Sequence, residues 1–167
     1  NIFPQRGLQV LAGWFPPGHQ VDLIAEVFGT EATEGFLHNN RYILIGITFF
    51  FFKQKTAYEI AAMCRRRGLA TIMGGPHAWA CPDEAAGHVD SVAVGECDEI
   101  WPAIIADARH GRLAKRYQGS LGDMGRPHFG RADQARQPIN GRYNLAAIQT
   151  SRGCPVGCEY CSVTKFN

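Results

Sequence analysis

Three apolar runs at residues 42–48 (YILIGIT), 69–73 (LATIM) and 91–94 (SVAV) most constrain the fold, because each gives way to a glycine turn or to helical spacing. An unbroken apolar, β-branched run suits a strand covered on both faces, as in a parallel sheet. The intervening segments read as helices. Residues 56–67 put Ile60, Ala61 and Cys64 on one stripe and stop at Gly68. Residues 98–110 put Ile100, Trp101, Ile104, Ile105 and Ala108 on one face, with Pro102 in the first turn and Gly111 as the cap. Shorter helices are expected at 6–14 and 83–88, and a strand at 20–24. Strands alternating with helices predict a doubly wound parallel α/β domain over residues 1–117, lacking a first strand and loop at its amino end. Residues 118–144, rich in Gly, Arg, Pro and Asp, read as a linker. A new strand is expected at 145–150.

Composition narrows the function classes. The chain has 167 residues, 46% hydrophobic, enough for a core and against disorder. A formal charge of +2 with no dominant basic stripe argues against a nucleic-acid partner. Arg65, Arg66 and Arg67 close a predicted helix, where the macrodipole favours them. The longest uncharged run, 42–52, falls short of the ~20 residues that span a bilayer. The start lacks a basic segment followed by an apolar one. Three of six cysteines crowd into eight residues, which suits a metal site better than disulfides, so a reducing cytoplasm is expected. The chain begins at Asn1 and ends six residues past the last of these cysteines, and the expectation is a fragment.

That crowded segment is Cys154-Pro-Val-Gly-Cys158-Glu-Tyr-Cys161, a C-x3-C-x2-C motif directly after a predicted strand and a Ser151-Arg152-Gly153 turn. Thiolates are the ligands of iron–sulfur clusters, and four normally complete a cubane. Gly153, Pro155 and Gly157 supply the turns that wrap a loop around one cluster. Three ligands leave one iron open to a substrate or cofactor. The competing reading is a structural zinc site with His128 as fourth ligand.

The motif resembles the signature of the radical S-adenosylmethionine (radical SAM) superfamily, with Tyr160 in its aromatic slot. The resemblance implies a 4Fe-4S cluster on Cys154, Cys158 and Cys161, S-adenosylmethionine chelated by the fourth iron, and Tyr160 beside the adenine. It further implies reductive release of a 5′-deoxyadenosyl radical, which abstracts a substrate hydrogen. Residues 145–167 would then be the first strand and cluster loop of a truncated (β/α) barrel, with the site at the strand's C-terminal end.

Upstream, the chain is similar to the Rossmann-like cobalamin-binding domains fused ahead of such barrels. The matching pieces are Pro17-Gly18-His19-Gln20-Val21, Ile45-Gly46-Ile47-Thr48, Gly74-Gly75-Pro76-His77, Pro82-Asp83-Glu84-Ala85 and Val94-Gly95-Glu96. The resemblance implies cobalamin, with Gly46, Thr48, Gly74, Gly75, His77, Gly95 and Glu96 at its crevice. The Asp-x-His-x-x-Gly cobalt motif is absent. His77 reads either as a crevice residue or as a hydrogen-bonded turn histidine, His19 as a turn residue, Cys97 as an activated thiolate or a small buried residue, and Cys64 as core. Cys81 stays unassigned. A second cluster on Cys64, Cys81 and Cys97 would fit a methylthiotransferase-like enzyme.

Residues 49–60 break the local logic. Four Phe followed by KQKTAYEI look like the translation of a sequencing adaptor after a T-run, so a chimeric join is expected there. The resulting expectation is a fragment of a radical SAM enzyme that catalyses methyl transfer or a related reaction on a small-molecule substrate, with flavodoxin or ferredoxin as electron donor. The alternatives are the methylthiotransferase-like enzyme and a non-catalytic ligand- or zinc-binding module.

Overall fold

The computed structural model describes residues 6–15, 18–24, 30–39, 41–120 and 151–163. Four strands, β1 (Leu44–Thr48), β2 (Ala70–Gly74), β3 (Ser91–Val94) and β4 (Arg116–Gln118), form one parallel sheet in the order β1-β2-β3-β4. Leu44 pairs with Ala70 and Thr48 with Gly74, Ile72 with Ser91, and Val94 with Gln118. Around the sheet lie α1 (Arg6–Gly13), α2 (Glu31–Asn39), α3 (Gln54–Arg66), α4 (Pro76–Ala80), α5 (Pro82–Ala86) and α6 (Trp101–Arg109).

Period-two alternation sorts the strand side chains onto two faces. On one face Ile47, Met73, Val92 and Val94 pack against Ala57 and Ala61 of α3, Ala78 of α4 and Ala85 of α5. On the other, Leu44, Ile72 and Ala93 meet Trp101, Ile104 and Ile105 of α6 and Leu11 of α1. Leu37 of α2 closes over Ile60, Met63 and Cys64. Helices therefore cover both faces, the condition under which all-apolar strands are stable. At the N-terminal end of the strands, the Asp90 carboxylate accepts from the Thr71 amide (2.9 Å) and hydroxyl (2.8 Å), tying β2 to the start of β3.

The expected α/β class, the three strands and the helices at 6–14, 56–67, 83–88 and 98–110 have counterparts here, with shifted ends. The last begins at Trp101 rather than Asp98, because Pro102 has no amide hydrogen to bond the Asp98 carbonyl; the Ile104 amide bonds the Ile100 carbonyl instead (3.1 Å). Residues 20–24 do not form a strand, and Asp22 accepts a hydrogen bond from the Tyr42 hydroxyl (3.0 Å). Helices α2 and α4 and strand β4 were not anticipated. The Pro76 that read as part of a closing turn starts α4, where proline's missing amide costs nothing. The sheet takes in Gln118, the first residue of the predicted linker. The strand expected at 145–150 lies outside the described residues.

The Phe run does not prolong β1. Phe49 is buried, residues Phe51–Lys53 form a 3-10 turn, and Phe50 and Phe52 are exposed with rings stacked at 6.1 Å. Residues 54–60 then form the first half of α3, whose buried stripe of Ala57, Ile60, Ala61, Met63 and Cys64 runs beyond the suspect segment. That packing follows from apolar spacing and is independent of the segment's origin.

Met73, fully buried between helices and sheet, reports on this arrangement. Met73→Ala lowers the free energy of unfolding by about 2–5 kcal/mol in urea titration. Ile43→Ala, at a side chain 56% exposed, stays within about 0.5 kcal/mol of wild type.

Candidate functional site

Parallel pairing brings Thr48, Gly74, Val94 and Gln118, the last residues of the four strands, to one edge. Ligands of open α/β sheets bind at such an edge. Two glycines shape it. Gly75 has φ +88° and an added Cβ would collide with the Thr48 hydroxyl. Gly95 has φ +82° and its Cβ would lie 2.6 Å from the Gly119 carbonyl oxygen. Both conformations and both approaches demand a residue without a side chain. Thr48, Gly74, Gly75 and His77 thus gather beyond β1 and β2, and Gly95 and Glu96 beyond β3. Gly46 is placed differently: it is mid-strand opposite Ile72, where a methyl would meet the Trp101 ring at 3.9 Å.

His77, 2% exposed in the first turn of α4, lies against Phe49 with ring centroids 4.8 Å apart. The Tyr58 hydroxyl donates to Glu84 (2.9 Å) and lies 2.9 Å from His77 Nε2, so with its proton given to Glu84 it accepts from the imidazole. Burial, then the hydrogen bond and charge of Glu84, push the Tyr58 hydroxyl far above its ordinary range. His77, Cys81 and Glu84 hold their ligand atoms within 4.8 Å of one another. The Tyr58 hydroxyl bonds two of these three groups, His77 and Glu84, and so competes with a cation for them.

Burial sorts the six thiols, all of them free. Cys64 is fully buried in α3, and burial raises its thiol while Arg67 lowers it. Cys97 is pushed up to about 12 by burial, then by Glu96 and Asp98, and its thiol donates to the Gly95 carbonyl (3.4 Å). It is therefore a half-buried neutral thiol, not an activated thiolate. The thiols of Cys64, Cys81 and Cys97 do not all lie within 4.8 Å of one another; among the described residues the one such group of three is that of His77, Cys81 and Glu84.

The second cysteine trio lies on a loop. Cys154 is exposed, Cys158 and Cys161 half-buried. Gly153 (φ +77°) turns the chain into the loop, and the Cys158 and Cys161 amides bond the carbonyls of Val156 (3.0 Å) and Cys158 (3.1 Å). Tyr160 is 93% exposed. The three thiols are free, and they are not drawn together within the 4.8 Å that a single cation's ligand set meets. Three thiols on one loop are the donor type that iron–sulfur clusters use. His128 lies outside the described residues.

Arg152, two residues before Cys154, joins the loop to the sheet edge. Its Nη1 and Nη2 donate to the two Asp98 carboxylate oxygens (2.6 and 3.1 Å), and Nη1 also donates to Glu96. The Arg152 and Asp98 side chains are 3% and 4% exposed. Burial raises the Glu96 carboxyl above the usual carboxylate range; Arg152 opposes that rise and Asp98 adds to it. Sequence reasoning took Arg152 for a turn residue and Asp98 for the first residue of a helix. The local signal was a cluster of acids after a strand, but no pattern in a sequence pairs a base with an acid 54 residues away.

No family model matches the chain. Bacteriochlorophyllide d C-8(2)-methyltransferase of Chlorobaculum tepidum is 31% identical over 166 residues, which cover 95% of this chain and 36% of that protein. Hopanoid C-2 methylase of Rhodopseudomonas palustris is 26% identical over 172 residues, covering 97% of this chain and 30% of that protein. The chain thus spans about a third of the length of these curated relatives. A solved structure, the N-terminal domain of a hypothetical protein of Thermotoga maritima, matches with a TM-score of 0.42 and 25% identity over 59% of this chain and 78% of that one. Among the described residues no helix is long and apolar enough to cross a membrane.

Alkylation distinguishes the half-buried Cys97 thiol from the exposed Cys154 thiol. With iodoacetamide at pH 8, well below the raised Cys97 value, native protein is modified at Cys154 and spared at Cys97, as read by peptide mass spectrometry; in urea both react.

Proposed function

We propose that these residues belong to a cobalamin-dependent type of radical SAM methyltransferase, in which residues 1–117 form the cobalamin-binding domain, 118–144 the linker and 145–167 the start of the barrel. The observation that carries the reading is the 31% identity to a methyltransferase over 95% of the chain, a span that must include the parallel sheet and the first two cysteines of the loop. The activities named for the two relatives above are each methylation at a numbered carbon.

When bound, the 4Fe-4S cluster and S-adenosylmethionine supply a substrate-activating radical, and cobalamin supplies the methyl group. The residues of the chain bind and orient. Cys154, Cys158 and Cys161 offer three thiolates and leave one cluster position for S-adenosylmethionine. Tyr160 presents an exposed ring that can stack on the adenine. Thr48, Gly74, Gly75, His77, Gly95 and Glu96 line the edge where cobalamin is proposed to lie, with Gly46 within β1. Gly75 and Gly95 let the turns after β2 and β3 pass close to Thr48 and to the Gly119 backbone at that edge. None of the three cysteines falls in residues 49–60, whose origin as a chimeric join remains part of this proposal. The proposed setting is the cytoplasm, with a small-molecule substrate and a flavodoxin or ferredoxin as electron donor.

Anaerobic reconstitution with iron and sulfide tests the cluster. Wild type takes up roughly four of each per chain, and Cys154→Ala, Cys158→Ala and Cys161→Ala fall to background. Iron and sulfide unchanged in the three variants refutes the assignment. Cobalamin that co-elutes with wild type in gel filtration supports the second cofactor, and its absence removes it.

A further inference from the structure

The position of the cysteine loop depends on a side chain outside the cysteine motif. Arg152 leaves the loop two residues before Cys154, reaches the C-terminal edge of the sheet and engages two acids of the turn after β3. Gly95 (φ +82°) sets the course of that turn at one end of the contact, and Gly153 (φ +77°) reverses the chain at the other.

We infer that Arg152 is a positioning residue, which through its paired bonds to Asp98 and its bond to Glu96 holds the loop of Cys154, Cys158 and Cys161 at the C-terminal edge of the parallel sheet. What the loop carries rests on the function proposed above; where it is held rests on the geometry alone. The consequence is that the group on the loop and the ligand of the edge lie on the same side of the domain.

Three physical features support the role. The planar guanidinium fork matches both oxygens of Asp98, which fixes direction as well as distance. The Arg152 and Asp98 side chains are 3% and 4% exposed, so water does not replace the bonds when they break. Asp98 and Glu96 flank the Cys97 thiol, so the carboxylates come from a packed turn, not from a solvated surface. A lysine would engage one acid at a time and could not reproduce the fork.

The test is hydrogen–deuterium exchange on the full chain without metal. The Arg152→Gln/Asp98→Asn double variant removes one charge of each sign, and Glu96, whose carboxyl burial already raises, is left to take up a proton. The expected result is exchange at residues 151–163 faster by about tenfold or more, with strands β1 and β2 and the thermal midpoint as in wild type. Arg152→Lys gives intermediate rates. Wild-type exchange at 151–163 in the double variant overturns the inference, and so does acceleration spread evenly over the strands, which marks lost stability rather than lost positioning. Iron uptake by wild type, measured in parallel, tests the cluster separately. A chain that binds no iron yet releases the loop refutes the function and keeps the clamp.

Discussion

Everything at the candidate site depends on four short strands pairing in parallel. Parallel pairing has two consequences. It leaves each strand apolar on both faces, so that helices must cover the sheet on each side, which α3, α4 and α5 do on one face and α1 and α6 on the other. It also carries the C-terminal ends of all four strands to one edge, where backbone groups and turn residues are presented together. An antiparallel sheet of the same residues would scatter Thr48, Gly74 and Gly95 over opposite edges.

The contact of Arg152 with Asp98 and Glu96 shows how charge is used at that edge. One guanidinium faces two carboxylates, so the fully ionised group carries one negative charge in excess of balance. Burial offsets the imbalance by favouring the protonated form of Glu96. A buried pair of this kind adds little stability relative to apolar packing, but it is directional and intolerant of a missing partner. Those properties suit a device that fixes the place of a loop more than one that holds a core together.

The thiols were separable in the sequence only in part. Cys154, Cys158 and Cys161 were recognisable because their spacing is local and a loop of eight residues can satisfy it by itself. Cys64 was legible as core from its place on a helical stripe. Cys97 was legible only as a choice between a thiolate and a small buried residue, and its burial and two acidic neighbours decide for the neutral thiol. Cys81 has its meaning only beside His77, Glu84 and Tyr58, which three different segments bring together.

The sequence by itself determined the class of the fold, the three apolar strands, the helices that follow β1 and β3, and the cysteine spacing, since all of these rest on periodicities and turn residues within about a dozen positions. It misread residues 20–24, which do not form a strand. It passed over α4, whose starting proline looked like a stop, and β4, three residues long and half polar. Only the tertiary structure decided that Gly46 lies mid-strand against Trp101, that a tyrosine hydroxyl bridges His77 and Glu84, and that Arg152 spans 54 residues to reach Asp98. The physical reason is that these are contacts between separate elements. They are selected by the register of the sheet and the packing of its two faces, neither of which leaves a mark on the local pattern of residues.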